Sequence, residues 1–134
     1  DPAQFRAWWG EVELEPRPGG RFVVRWLNRD LDGNTAVMRA TIARWEPPTL
    51  LETVGDIHGT LRWELRPIGG GAATELAFSS TLELPEAQRA MVLAGWHVHL
   101  DFLEEALAGG RVDWANWPFG RWQTHHERYL RRIG

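Results

Sequence analysis

Glu75-Leu76-Ala77-Phe78-Ser79-Ser80-Thr81-Leu82 alternates between two faces, and the alternation stops at Pro85-Glu86. Before the stop, a period of two puts Leu76, Phe78, Ser80 and Leu82 on one apolar strand face. After it, the pattern predicts one long helix to about Ala108, closed by Gly109-Gly110. Strands that give way to helices without returning indicate an α+β fold and not an alternating α/β one.

The same period of two extends back toward the N-terminus. Leu61, Trp63 and Leu65 alternate with Thr60, Arg62, Glu64 and Arg66, and Gly69-Gly70-Gly71 makes the following loop. Leu50 to Val54 reads as a short strand after Pro47-Pro48. A longer strand runs from Thr35 to about Trp45, with Ala36, Met38, Ala40 and Ile42 on one face. Asn28 to Gly33 is a turn. Phe22, Val24 and Trp26 share a strand face, and Val12 and Leu14 begin the series before the break at Pro16–Gly20. About six antiparallel strands result. Arg25, Arg39, Arg62, Glu64, Arg66 and Glu75 fall on the outward face, where cross-strand charge pairs account for them.

Two helices flank the strands. Asp1 can cap a short helix with Pro2 in its first position and Gly10 at its end; Phe5, Trp8 and Trp9 then share a face. The long helix carries Val92, Trp96, Leu100, Leu103 and Leu107 on one predicted stripe. At ~1.5 Å per residue it is ~35 Å long, against ~33 Å for a ten-residue strand, so it can lie across the sheet. Gly95 is expected where that helix approaches another backbone closely. Trp114, Trp117 and Trp122 precede a last helix around Gln123–Arg132. So much indole should be partly buried or at an oligomer contact.

Composition excludes several classes. The chain has 134 residues, 43% hydrophobic and 25% charged, with a formal net charge of −3. That length suits one domain over 1–134, and disorder is excluded as the main state. No apolar run reaches the ~18–20 residues of a membrane span, and no secretory signal opens the sequence. A cytoplasmic protein with no membrane partner is expected. Cys is absent, which removes disulfides and thiolate chemistry. The pI of about 6.0 argues against a nucleic-acid partner. All 15 basic residues are Arg, as a GC-rich bacterial genome would give, and there are nine Trp.

The order of motifs resembles a known family. Asp1-Pro2 with Trp8-Trp9-Gly10, Pro18-Gly19-Gly20-Arg21-Phe22, Gly33, Pro47-Pro48-Thr49-Leu50, and Gly95-Trp96 with Leu100, Leu103 and Leu107-Ala108-Gly109 look like the SRPBCC, or START-like, superfamily. Within it they are most similar to the branch named for the activator of the heat-shock chaperone ATPase, over roughly residues 1–110. The resemblance implies a helix-grip fold, a curved antiparallel sheet wrapped on a long C-terminal helix with a hydrophobic cavity between them. It implies ligand binding, since superfamily members hold lipids, sterols and polyketides and a minority catalyse cyclisation or hydrolysis. Relatives begin with a further strand and helix before the Asp-Pro, so a first strand is expected to be missing here. The unpaired edge would invite a homodimer. Residues 111–134 form a Trp-rich extension that matches the family least.

Candidate chemistry is sparse. His97 and His99 point ~200° apart on a helix, and His125 and His126 also diverge. No His-x₃-His or His-Glu-x-x-His spacing occurs, so no metal site is expected. No Ser has a nucleophile-elbow setting, and Glu13, Glu64 and Glu75 fall outside, so no catalytic residue is assigned. The expected ligand cavity is lined by Phe22, Trp26, Met38, Trp63, Phe78, Ser80, Trp96, His99 and Leu103. Ser80, Thr53 and His99 would be its polar groups. The leading expectation is a non-catalytic binder of a small apolar molecule, with no cofactor. One alternative is a polyketide-cyclase-like enzyme in which His99 and Ser80 orient the substrate. The other is a chaperone-associated interaction module, by family analogy.

Overall fold

The structure, a computed structural model, describes residues 1–30 and 32–133. Leu31, within the expected turn at 28–33, and Gly134 lie outside the described residues. Six strands form one antiparallel meander: β1 (Gly10–Leu14), β2 (Arg21–Trp26), β3 (Val37–Glu46), β4 (Leu50–Gly55), β5 (Thr60–Ile68) and β6 (Ala73–Thr81), in sheet order β1-β2-β3-β4-β5-β6. Two helices follow, α1 (Glu86–Leu107) and α2 (Phe119–Ile133). The fold is α+β. Among the described residues no helix is long and apolar enough to cross a membrane.

By its internal contacts the chain divides into two compact units. One comprises Val12–Arg25 and Val37–Glu83, and the other Asp1–Glu11, Trp26–Ala36 and Leu84–Gly134. In the first, glycine closes the hairpin connections. A Cβ on Gly20 would lie 2.2 Å from the Glu15 carbonyl oxygen, and Gly59 has φ +60° with its missing Cβ 2.3 Å from the Thr81 carbonyl oxygen. Neither place admits a side chain. The strand register puts opposite charges beside each other as expected. Arg66 pairs across the ladder with Glu75 at 2.8 Å, and Arg62 with Glu52 at 2.7 Å.

The other sheet face is apolar, but its burial is uneven. Phe22, Val24, Met38, Ile42 and Leu61 are fully buried. Farther along the β5–β6 hairpin, Leu65 is 41% exposed and Leu76 36% exposed, and Ser80 is also exposed. The expected buried face of the last strand is therefore corrected. For Leu65 and Leu76 the physical reason is strand length, whereas Ser80, opposite the buried Leu61, is exposed on the sheet's edge strand. β4 stops pairing with β5 at Leu50↔Glu64, so the hairpin beyond Glu64 has no third strand beside it.

The second unit opens with a 3-10 helix over Pro2–Ala7, where the Asp1 side chain accepts from the Ala3 N–H. The expected helix to Gly10 is thus shorter, because Gly10 already opens β1. In α1 the buried residues are Ala90, Ala94, Trp96, Val98, His99 and Phe102. The predicted stripe is corrected: Leu107 is 81% exposed, and Val92, Leu100 and Leu103 are half-buried. Bulky apolar residues suggested the stripe, whereas Ala90 and Ala94 occupy the deepest side, where small residues permit close packing. A Cβ on Gly95 would meet nothing within 4 Å, so the expected close approach there is corrected too.

Helix α2 runs antiparallel along α1. Arg121 pairs with Glu105 at 2.5 Å, His125 with Asp101 at 2.7 Å, and Tyr129 with His97 at 3.0 Å. Steps of four on both helices keep these partners on facing sides. In the linker before α2, Trp114 and Trp117 are half-buried, as the Trp content predicted, while most of their neighbours are exposed. The Trp114 indole N–H donates to the Arg6 carbonyl at 2.8 Å, and that of Trp117 to the Arg29 carbonyl at 3.0 Å.

Candidate functional site

The strand face presents the first candidate. Ile42, Thr53 and Leu61 sit directly opposite one another on β3, β4 and β5, with exposures of 0%, 1% and 0%. The Thr53 hydroxyl is buried and has no hydrogen-bond partner among the described residues. An unserved buried hydroxyl costs roughly 1–3 kcal/mol, so its presence in an apolar row requires a reason. Two residues along β5, Trp63 pairs with Phe78 in register, their ring centroids 4.3 Å apart, and both rings are half-buried. Of the expected lining residues, Phe22, Met38, Trp63, Phe78 and Ser80 do share this face of the sheet. Phe22 and Met38 lie at its buried end, Trp63 and Phe78 at mid-depth, and Ser80 in solvent.

A second set gathers in the other unit. Trp26, Trp96 and His99 come together with Trp9, whose ring lies 5.7 Å from Trp26 and 5.6 Å from Trp96 in edge-to-face contact. The Trp26 indole N–H donates to His99 Nε2 at 3.0 Å. That bond requires Nε2 to be unprotonated, so Nδ1 carries the proton and donates to the Trp8 carbonyl at 3.0 Å. Both ring nitrogens are used, and His99 holds the aromatic cluster in a fixed tautomer. Leu103 lies elsewhere on α1 and lines a groove of about 610 Å³ with Ala3, Trp8, Leu107 and Trp114.

The remaining histidines divide between turn and helix. His58 sits half-buried in the β4–β5 turn, and burial outweighs the nearby Asp56 charge to lower its pKa. His97 and His125 stack at 3.8 Å between centroids. Burial lowers the His97 pKa, helped by the His125 and Arg128 charges and opposed by Asp101. Sequence reasoning separated His97 from His125, because it considered spacing only within each helix. His97 and Asp101 at i, i+4, facing a second helix with its own i, i+4 pair at His125 and Tyr129, were the available signal.

Comparison with known proteins places this geometry. The family model described as activator of Hsp90 ATPase homolog 1-like protein matches residues 1–108. None of the curated proteins compared with the chain matches it. Among solved structures, a Bordetella parapertussis protein is similar at 23% identity and TM-score 0.73, over 98% of this chain and 75% of that one. CalU16 from Micromonospora echinospora is 25% identical with TM-score 0.62, over 99% and 74%. A Rhodobacter sphaeroides protein is 25% identical with TM-score 0.61, over 81% and 78%. The meander of six strands followed by a long helix is accordingly the helix-grip arrangement, and the chain belongs to the activator of Hsp90 ATPase homolog 1-like family of the START-like superfamily.

Proposed function

We propose that the chain binds a small, mainly apolar molecule on the strand face that carries Thr53, and that it does so without catalysis. The observation that carries this reading is the buried Thr53 hydroxyl, unpartnered among the described residues and flanked by Ile42 and Leu61. A ligand with one polar atom and an apolar body would satisfy the hydroxyl and cover the half-exposed Trp63–Phe78 pair. Phe22 and Met38 would form the apolar floor. Non-catalytic binding is favoured over a cyclase because His99 has both nitrogens engaged and Ser80 faces solvent, so neither is poised to move a substrate proton.

Native mass spectrometry of gently purified protein tests the reading. An added mass of a few hundred daltons is expected, and it should disappear in a folded Trp63→Ala variant. Thr53→Val should keep the fold, raise the stability of the ligand-free chain by about 1 kcal/mol, and weaken retention of the ligand. A bare mass, together with no saturable quenching of Trp emission by 8-anilinonaphthalene-1-sulfonate, would overturn it.

A further inference from the structure

Three side chains on α1 and α2 converge on one point. His97 Nε2 lies 3.9 Å from Asp101 Oδ1, and His125 Nε2 lies 2.7 Å from Asp101 Oδ2. The ligating atoms of all three residues lie within 4.8 Å of one another. We infer that His97, Asp101 and His125 form a binding site for one divalent transition-metal ion, with zinc as the best chemical match. This site is separate from the strand face, and nothing in it depends on the ligand reading above.

The distances suit that ion. Two ligands each ~2.0–2.2 Å from a tetrahedral metal lie about 3.4 Å apart. The His97–Asp101 gap is slightly wider than this and too long for a hydrogen bond, while the His125–Asp101 contact is shorter. Small opposite movements bring both to one radius. The stack of the two imidazoles, inclined at 18°, must open for both nitrogens to aim at one ion. His97, with 42% of its side chain exposed, has room to rotate about χ2.

The surroundings supply what a ligand set needs. Tyr129 Oη lies 3.0 Å from His97 Nδ1, so an Nδ1–H donating to that hydroxyl leaves the Nε2 lone pair turned toward Asp101. Such an outer partner fixes ring orientation in most histidine–metal sites. Two imidazoles with one carboxylate favour zinc, nickel or copper over magnesium or calcium, which prefer all-oxygen sites. His97 and His125 also line an adjoining pocket of about 330 Å³, which leaves access for the ion and for a water as fourth ligand. The pocket is bordered by Arg128, Arg131 and Arg132, so an anionic fourth ligand would also be accommodated.

The test uses the full chain, stripped with chelator and titrated with Zn²⁺ by calorimetry and with Co²⁺ by visible absorption. One ion per chain is expected, with tetrahedral cobalt bands and a rise in melting temperature as ion binding ties α2 to α1. Loss of an outer-shell partner costs roughly 10–100-fold in metal affinity, so Asp101→Asn and His97→Gln should each cost at least about 100-fold. His126→Gln, whose ring stacks on Trp122 away from the cluster, should bind as the parent does. His97 and Asp101 are chosen because both are partly exposed, and circular dichroism checks that each variant folds. Absence of saturable uptake overturns the proposal. So does uptake that either variant leaves unchanged.

Discussion

The two compact units use aromatic residues in opposite ways. Around α1, indoles are locked by packing and by polar contacts: Trp9 and Trp96 lie edge-to-face with Trp26, while Trp26 donates to His99, Trp114 to Arg6 and Trp117 to Arg29. On the sheet, the Trp63–Phe78 pair is half-open to solvent and the neighbouring Thr53 hydroxyl has no partner among the described residues. The same amino-acid types therefore serve as architecture in one place and as available surface in the other. What separates the two is burial, because Trp9, Trp26 and Trp96 are 0%, 8% and 6% exposed whereas Trp63 and Phe78 are only half-buried.

Truncation should show this contrast most strongly. Trp96 is 6% exposed and touches Trp9, Trp26 and His99, so Trp96→Ala is expected to cost about 3–5 kcal/mol. Trp63→Ala removes a half-buried ring and should cost only roughly 1–2 kcal/mol. Urea unfolding of both variants measures the difference. Equal losses would mean that the strand-face aromatics are core, and the contrast between the units would collapse.

Legibility in the sequence followed the same division. Strand periodicity located all six strands and placed Phe22, Met38, Trp63, Phe78 and Ser80 on one face, because a period of two depends only on the local chain. It could not show where burial ends. That depends on β4 being shorter than the hairpin it supports, a relation among three strands. The α1 stripe was misplaced for a related reason. α2 covers a second side of α1, so apolar and small residues are spread around the helix and no single stripe dominates. The cluster of His97, Asp101 and His125 was only half legible for that reason too: the i, i+4 pairs on each helix were there to read, but the third member arrives from another helix.

Gly95 sharpens the comparison within α1. Its neighbours Ala94 and Trp96 are buried, yet a Cβ there meets nothing within 4 Å. Glycine inside a helix is less favourable than alanine by roughly 0.8–1 kcal/mol, through the backbone freedom it surrenders. Gly95→Ala should therefore raise stability by up to about 1 kcal/mol, readable as a higher denaturation midpoint with unchanged slope. A loss would show that α1 packs more tightly at this point than its surroundings indicate.

The smallest expected effect is in the sheet unit, at His58. Its pKa in the folded chain lies below the ordinary 6.5, chiefly because burial disfavours the imidazolium, with Asp56 pulling the other way. Between the lowered folded value and 6.5 the unfolded chain binds the extra proton, so protonation there favours unfolding. The contribution to stability is whole above about pH 6.5 and falls as pH drops through that window. It levels off once both states are protonated. Unfolding free energies measured from pH 8 to pH 5 should therefore decline more steeply in the parent than in His58→Gln, which cannot titrate. The difference between the two curves isolates this one group from every other carboxylate and imidazole in the chain. A parent curve that runs parallel to the variant's would mean that His58 is solvated, and that the β4–β5 turn is open in solution.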